Sequence, residues 1–244
     1  MIDNKNNKVA VLGNRLISAT YTLPLGAKKL LLLAVSKLDS KKYNQSYVVE
    51  ITADEWREVY GEAPQVYRDL KKAAQNLKRA EGIVLHNQVL GGVEYEAIEL
   101  DWVSTVGYSN GEGKVALEIH PRIRQHLVYA VHELGFTKIY LLNVAKLRSD
   151  RSIRLYEQLC RFNRNEFYVT SVEKLMDILG AKTPSQRVYG AFKRDIVDRC
   201  VKDINENSNY TVKYDAIKRG RTVVNLRFTF VRDSQLDLLS NVIA

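Results

Sequence analysis

Several chemistries are missing from this chain. It has no Gly-x-x-x-x-Gly-Lys-[Ser/Thr] loop, which argues against a P-loop ATPase. The four histidines, His86, His120, His126 and His132, form no His-x-His pair of the kind used by metal-dependent nicking enzymes. His126 and His132 are six positions apart and would not share a helix face well. Acidic residues are scattered, and no acidic pair stands out as a metal site. None of the 14 tyrosines sits in a cluster that would activate it as a nucleophile. The two cysteines, Cys160 and Cys200, each fall within an apolar helical pattern. They suit small buried hydrophobes in a reducing cytoplasm, not a disulfide framework or zinc site. The longest apolar run, Leu30 to Val35, is too short to span a bilayer. The first eight residues are polar and no apolar stretch follows them, so no secretory signal is expected. These absences point to a cytoplasmic binding protein, not an enzyme, with no cofactor, no metal and no membrane partner.

What is present is positive charge on a chain able to fold. Hydrophobic residues make up 45% of the 244, enough for real cores. The net charge of +9 favours a polyanionic partner. It is unevenly placed. Residues 1–125 hold 17 Lys/Arg against 15 Asp/Glu, whereas residues 126–244 hold 20 against 13. An anion-binding surface should be strongest in the second half.

The stretch from Thr170 to Phe230 carries the clearest organisation. Thr170 with Glu173 fits a capping box, and Gly180 is placed to stop the short helix that follows. Pro184 sits in the connection to a second helix, expected over residues 186–205. Val188, Phe192, Ile196 and Cys200, broadened by Val197, Val201 and Ile204, form its core face. Arg187, Ala191, Arg194 and Asp198 lie opposite, spaced i, i+4, i+7, i+11. Two arginines flanking a small residue suit a major groove, because the guanidinium fork matches guanine O6 and N7. An ordinary solvated helix face has the same pattern. Two β-rich runs then flank Lys218-Arg219-Gly220-Arg221, a hairpin with a basic tip. Helix, turn, basic helix, basic hairpin is the order of a winged helix-turn-helix module.

The first half shows a comparable order. A polar tail to Lys8 precedes an apolar stretch, Val9 to Ala19, expected as a short strand or turn. A leucine-rich helix from Pro24 to about Leu38 is apolar on every side, so it is either central to its domain or shared with a partner chain. A polar loop, Asp39 to Ser46, leads to a strand at Tyr47–Ile51. Thr52 with Glu55 gives another capping box, and its helix runs to Gly61. The basic helix at Gln65–Ala80 has Val66, Tyr67, Leu70, Ala73, Ala74 and Leu77 on its core side. Arg68, Lys72, Gln75 and Arg79 lie opposite. Hairpins follow about Gly91-Gly92 and about Ser109-Asn110-Gly111, then a helix from Pro121 to Leu134. Gly61 and Gly180 are 119 positions apart, as are Arg68 and Arg187, and Gln75 and Arg194. The expected fold is therefore α+β: two tandem winged-helix domains related as an internal repeat, covering residues 1–134 and 135–244. Arginines at 148, 151 and 154 start a further helix, either touching phosphate or, preferably, decorating the helix start.

Three passages carry a family resemblance. They are Asn14-Arg15-Leu16-Ile17-Ser18-Ala19 leading into Leu23 to Asp39; Ser152-Ile153-Arg154-Leu155-Tyr156-Glu157-Gln158-Leu159; and Phe192-Lys193-Arg194-Asp195 through Ile204-Asn205 to Tyr214 and Lys218-Arg219-Gly220-Arg221. Together they resemble the iteron-binding, Rep_3-type plasmid replication initiators over nearly the whole chain. The resemblance implies winged-helix domains that bind direct repeats at an origin as monomers. It also implies dimers, joined through the first domain, that repress their own gene at an inverted repeat. Host replication initiator and replicative helicase are the partners it implies. Base contact is assigned to Arg187 and Arg194 on a helix that also carries Lys193, and phosphate or groove contact to Lys218, Arg219 and Arg221. Arg68, Lys72, Gln75 and Arg79 do the equivalent in the first domain. Asp198 departs from a basic stripe, which shifts the expected contacts toward the helix N-terminal half. A chromosomal winged-helix regulator, a nicking-closing enzyme and a protein scaffold are the competing readings.

Overall fold

The computed structural model describes residues 8–38, 48–128 and 135–233, excepting the side chains of 125–128. The expected N-terminal tail before Lys8, most of the polar loop after Leu38, and the end of the helix expected to reach Leu134 lie outside the described residues. So do His132 and the side chain of His126. The described chain divides into two units, Lys8–Leu141 and Leu142 onward.

The first unit opens with β1 (Val9–Gly13) and a short α1 (Asn14–Ser18), so the segment expected as a strand or turn supplies a strand and a helical turn. Its centre is α2 (Leu25–Ser36). Pro24 stands at the N-cap, where its missing N–H costs nothing. Leu30 through Val35 are all buried within this one chain, so α2 is the central helix of its own unit. Even Lys28 is buried; its ammonium donates to Tyr21 Oη at 2.8 Å and lies over the Tyr21 ring. β2 (Val48–Thr52) leads into α3 (Ala53–Tyr60) through a complete capping box. Thr52 Oγ1 accepts from the Glu55 N–H at 3.1 Å, and the Glu55 carboxylate accepts from the Thr52 N–H at 2.9 Å. α4 (Val66–Arg79) buries Val66, Leu70, Ala73, Ala74 and Leu77 as the apolar spacing predicts. It packs on α2, where a Cβ added to Gly26 would sit 3.5 Å from Ala73 Cβ.

Two hairpins follow. β3 (Ile83–Leu90) and β4 (Val93–Leu100) pair about Gly91-Gly92, both at positive φ, the requirement of a type I′ turn. β5 (Val103–Ser109) and β6 (Lys114–Ile119) pair with each other, and β6 also pairs with β2. The sheet order is therefore β2-β6-β5, with β3-β4 as a separate ribbon inserted before it. After α5 (Pro121–Val128), β7 (Phe136–Tyr140) returns antiparallel to β1. The first unit runs through β7 to Leu141, a few residues past the expected division near Gly135, because β7 completes a sheet that β1 begins.

The second unit repeats the plan. α6 (Leu141–Ala145) precedes α7 (Asp150–Arg161), capped by Ser149 accepting from the Ser152 N–H at 3.0 Å. β8 (Phe167–Ser171), α8 (Val172–Ile178), a long third helix and the hairpin β9 (Tyr210–Arg219)–β10 (Thr222–Arg232) follow. The sheet order β8-β10-β9 matches β2-β6-β5. The N-cap of α8 is Ser171, which accepts from the Lys174 N–H at 3.2 Å, and not the expected Thr170. The internal spacing points to this, since 119 residues separate Thr52 from Ser171. Gly180 ends α8 as expected, at φ +65, closing a Schellman motif in which Gly180 N–H bonds Asp177 O and Ala181 N–H bonds Met176 O.

The three arginines at the start of α7 do neither thing expected of them as a group. Arg148 stays at the surface, 3.7 Å from Glu206. Arg151 donates to the carbonyls of Leu179 and Gly180 at 2.9 and 3.0 Å, capping the end of α8. Arg154 is fully buried, donates to Ile178 O at 3.3 Å and lies 3.6 Å from the buried Glu157. Cys160 and Cys200 are free thiols, Cys200 buried in this core and Cys160 half-buried at its edge, and desolvation pushes both up to about 12. No helix among the described residues is long and apolar enough to cross a membrane.

Candidate nucleic-acid interface

In a winged-helix unit the third helix and the hairpin wing are the two elements that present basic side chains outward. In the second unit the third helix is not the uniform element expected. Pro184 starts a single 3₁₀ turn, Ser185–Arg187, and the helix itself, α9, runs over residues 189–207. It is α-helical at Tyr189–Phe192, widens to a π turn at Lys193–Val197, and returns to α over Asp198–Asn207. The core spacing fits this shape. Phe192, Ile196, Cys200 and Ile204 are all buried at four-residue steps. In a pure α-helix that spacing drifts around the axis; a π turn holds about one more residue and offsets the drift. Val188, expected on the core face, precedes the helix and is 61% exposed.

This geometry separates the expected stripe. Arg187 lies in the 3₁₀ turn, off the helix, and pairs with Asp177 of α8 at 2.7 Å. Arg194 lies in the π turn with its side chain 75% exposed. Its Nε and Nη2 donate to the two oxygens of Asp195 at 2.9 and 2.7 Å. That fork holds the Asp195 carboxyl below the usual carboxylate range. Lys193 donates to Asp198 at 2.9 Å, and the Tyr214 hydroxyl of β9 donates to the same carboxylate. Partial burial works against ionisation of Asp198, but the bonds from Tyr214 and Lys193 outweigh it and hold its carboxyl low. Burial first, then the bond to Asp198, pushes the Tyr214 phenol up to about 12. Asp198, which looked like a gap in a basic stripe, ties the third helix to the wing. The sequence hides both bonds, because positions five apart do not face each other on an α-helix and Tyr214 lies 16 positions from Asp198.

The wing tip turns through Gly220 at φ +61, with Arg219 paired to Thr222, the type II′ pattern. Lys218, Arg219 and Arg221 are all exposed there. None of their side chains makes a hydrogen bond or ion pair among the described residues.

The first unit arranges the same residue types differently. Arg68, Lys72 and Arg79 are exposed along α4 and Gln75 is half-buried beside them. The side chains of Arg68 and Lys72 form no hydrogen bond or ion pair among the described residues. Two cations missed from the sequence, Lys71 and Lys78, face the β5–β6 wing. Lys71 lies over the Tyr108 ring, and Lys78 donates to the carbonyls of Val103 and Ser104 at 3.2 and 3.0 Å. Tyr67, expected in the core, is half-buried because its hydroxyl reaches Asn110 at 3.0 Å. The only sequence signal for the two lysines is their seven-residue spacing on the flank between the core and outer faces. Among the described residues, no group of His, Cys, Asp or Glu is placed to hold a metal ion.

Two winged-helix units, each turning a cationic third helix and a wing outward, define a nucleic-acid-binding class of protein. A family model described as "Initiator Replication protein, WH1" matches residues 9–160, and "Initiator Rep protein, WH2" matches residues 171–230. The chain belongs to this initiator replication protein family. The "PI protein" of Escherichia coli is 23% identical over 258 residues, covering 94% of this chain and 84% of that protein. An "Uncharacterized 27.6 kDa protein" of Escherichia coli is 23% identical over 234 residues, covering 91% and 95%. The crystal structure of Pi initiator protein in complex with iteron DNA shares the fold, with a TM-score of 0.77 and 22% identity over 94% of this chain and 99% of that one.

Proposed function

We propose that this member of the initiator family binds direct repeats at a plasmid origin through both winged-helix units. Arg194 contacts base edges, Lys218, Arg219 and Arg221 grip the backbone or a groove from the wing, and Arg68, Lys72, Gln75 and Arg79 serve the first unit. Arg187 acts from the turn ahead of α9. The observation that carries this reading is that one unit holds both an uncommitted cationic wing tip and an exposed arginine on its third helix. The fold shared over nearly the whole chain with an initiator bound to iteron DNA supports it. As a dimer the protein represses its own gene at an inverted repeat, and at the origin it hands over to the host initiator and replicative helicase. It works in the cytoplasm by binding, without a catalytic step.

Fluorescence anisotropy on the repeats flanking its own gene, beside a scrambled duplex and across several salt concentrations, tests the proposal. Discrimination of roughly 10³ or more is the expected result. Equal, steeply salt-dependent binding to both duplexes would leave only a basic surface and remove the base-contact assignments.

A further inference from the structure

We infer that Asp195 is a positioning residue for sequence reading: it clamps one edge of the Arg194 guanidinium so that the opposite edge is held ready for a guanine. This rests on the reading of Arg194 as a base contact.

The geometry is specific. Adjacent side chains on an α-helix do not face one another. Arg194 and Asp195 do so inside the π turn, where more residues share each turn and neighbours diverge less. The bond is a two-point fork, Nε to Oδ1 and Nη2 to Oδ2, at 2.9 and 2.7 Å. A guanidinium has five N–H donors, so the fork leaves three: both on Nη1 and one on Nη2. These form the end-on edge that matches guanine O6 and N7. Arg199 approaches the same carboxylate only to 4.0 Å, so Arg194 is the group that Asp195 orients. The pair is solvent-exposed and away from the core, so it adds little to folding. Its consequence lies in binding. A free arginine must lose side-chain freedom when it meets a base, and a clamped one has already lost it. The carboxylate also repels phosphate, which penalises binding that does not use the base edge.

The test uses the full chain and four proteins: the unaltered protein, Arg194→Ala, Asp195→Asn and the double variant. Each is titrated with the cognate repeat, with duplexes carrying every single base-pair change in it, and with a scrambled duplex. Arg194→Ala should lose discrimination at one base pair, by roughly fivefold to a hundredfold. Asp195→Asn should lose roughly two- to tenfold at that same base pair. In the Arg194→Ala background it should change discrimination nowhere. A general structural role would weaken discrimination at all positions. If Asp195→Asn tightens every duplex alike, or acts equally with and without Arg194, the inference is overturned while the base-contact reading stands. If Arg194→Ala leaves discrimination intact at every position, both fall together.

Discussion

The third helices of the two units carry similar cations in opposite electrostatic states. On α4, Arg68 and Lys72 face solvent uncommitted, while the wing tip beside them is neutral to acidic, with Lys114 paired to Glu112 at 2.7 Å. On α9 and the turn before it, Arg187, Arg194 and Lys193 are paired with Asp177, Asp195 and Asp198. There the uncommitted charge sits on the wing, at Lys218, Arg219 and Arg221. The more basic half of the sequence thus has the more self-neutralised helix. Net charge predicts that a surface attracts polyanions; the pairing decides which element meets them first.

The contrast extends inward and is open to attack. The central helices α2 and α7 are both 12 residues long, but α2 is filled by leucines and α7 buries Arg154, Glu157 and Gln158. Arg154→Ala should therefore give the largest effect, about 3–5 kcal/mol lost from the second unit in urea unfolding, because it removes one member of a buried ion pair. Arg154→Met should cost less; equal losses would mean that volume, not charge pairing, matters there. Next, Arg219→Ala and Arg68→Ala should each weaken cognate and scrambled DNA binding and reduce the slope of log affinity against log salt by about 0.9. Arg187→Ala should change that slope less, since its charge is already partnered. A full unit lost at Arg187 would erase the distinction between the helices.

Tyr214→Phe should cost about 1 kcal/mol at neutral pH by removing a donor to Asp198. The sign with pH follows from a carboxyl held low in the folded state. Its contribution is present above about pH 4 and is lost as pH falls through the folded value, so the two proteins should converge in acid. The smallest effect is expected at Gly190, where an added Cβ meets nothing within 4 Å. Gly190→Ala should stabilise the second unit by roughly 0.5–1 kcal/mol. If it also weakens DNA binding, the backbone at the start of α9 approaches the duplex closely.

Elements defined by local chemistry were legible in the sequence. The Thr52–Glu55 box, the glycine stops at Gly61 and Gly180, the hairpin turns and the apolar stripe of α4 each depend on neighbours a few residues away. The 119-residue spacing holds from β2 and β8 through α3 and α8. It slips at the third helix, because a 3₁₀ turn and a π turn change the rotation per residue and no propensity announces either. Arg187 and Val188 therefore lie ahead of the helix on which their spacing places them. Arg151 and Arg154 look like surface residues in the sequence because charged side chains are seldom buried unless paired, and the carbonyls they donate to lie 24 to 29 positions away, although Glu157, three positions from Arg154, is close at hand. The end of the first unit is hard to read in the sequence because β7 acquires its meaning only beside β1.

That last pairing has an evolutionary reading. Val9 lies opposite Tyr140 and Gly13 opposite Phe136, so the polypeptide leaves the first unit beside the point where it entered. Neighbouring strands are about 4.8 Å apart, so the unit is closed at its base like a cassette with adjacent ends. Such a cassette can be copied, lengthened by a ribbon such as β3–β4, or joined to a diverging sibling without rethreading its interior. A chain built from two third helices of opposite electrostatic state is the kind of product that duplication followed by separate tuning would leave.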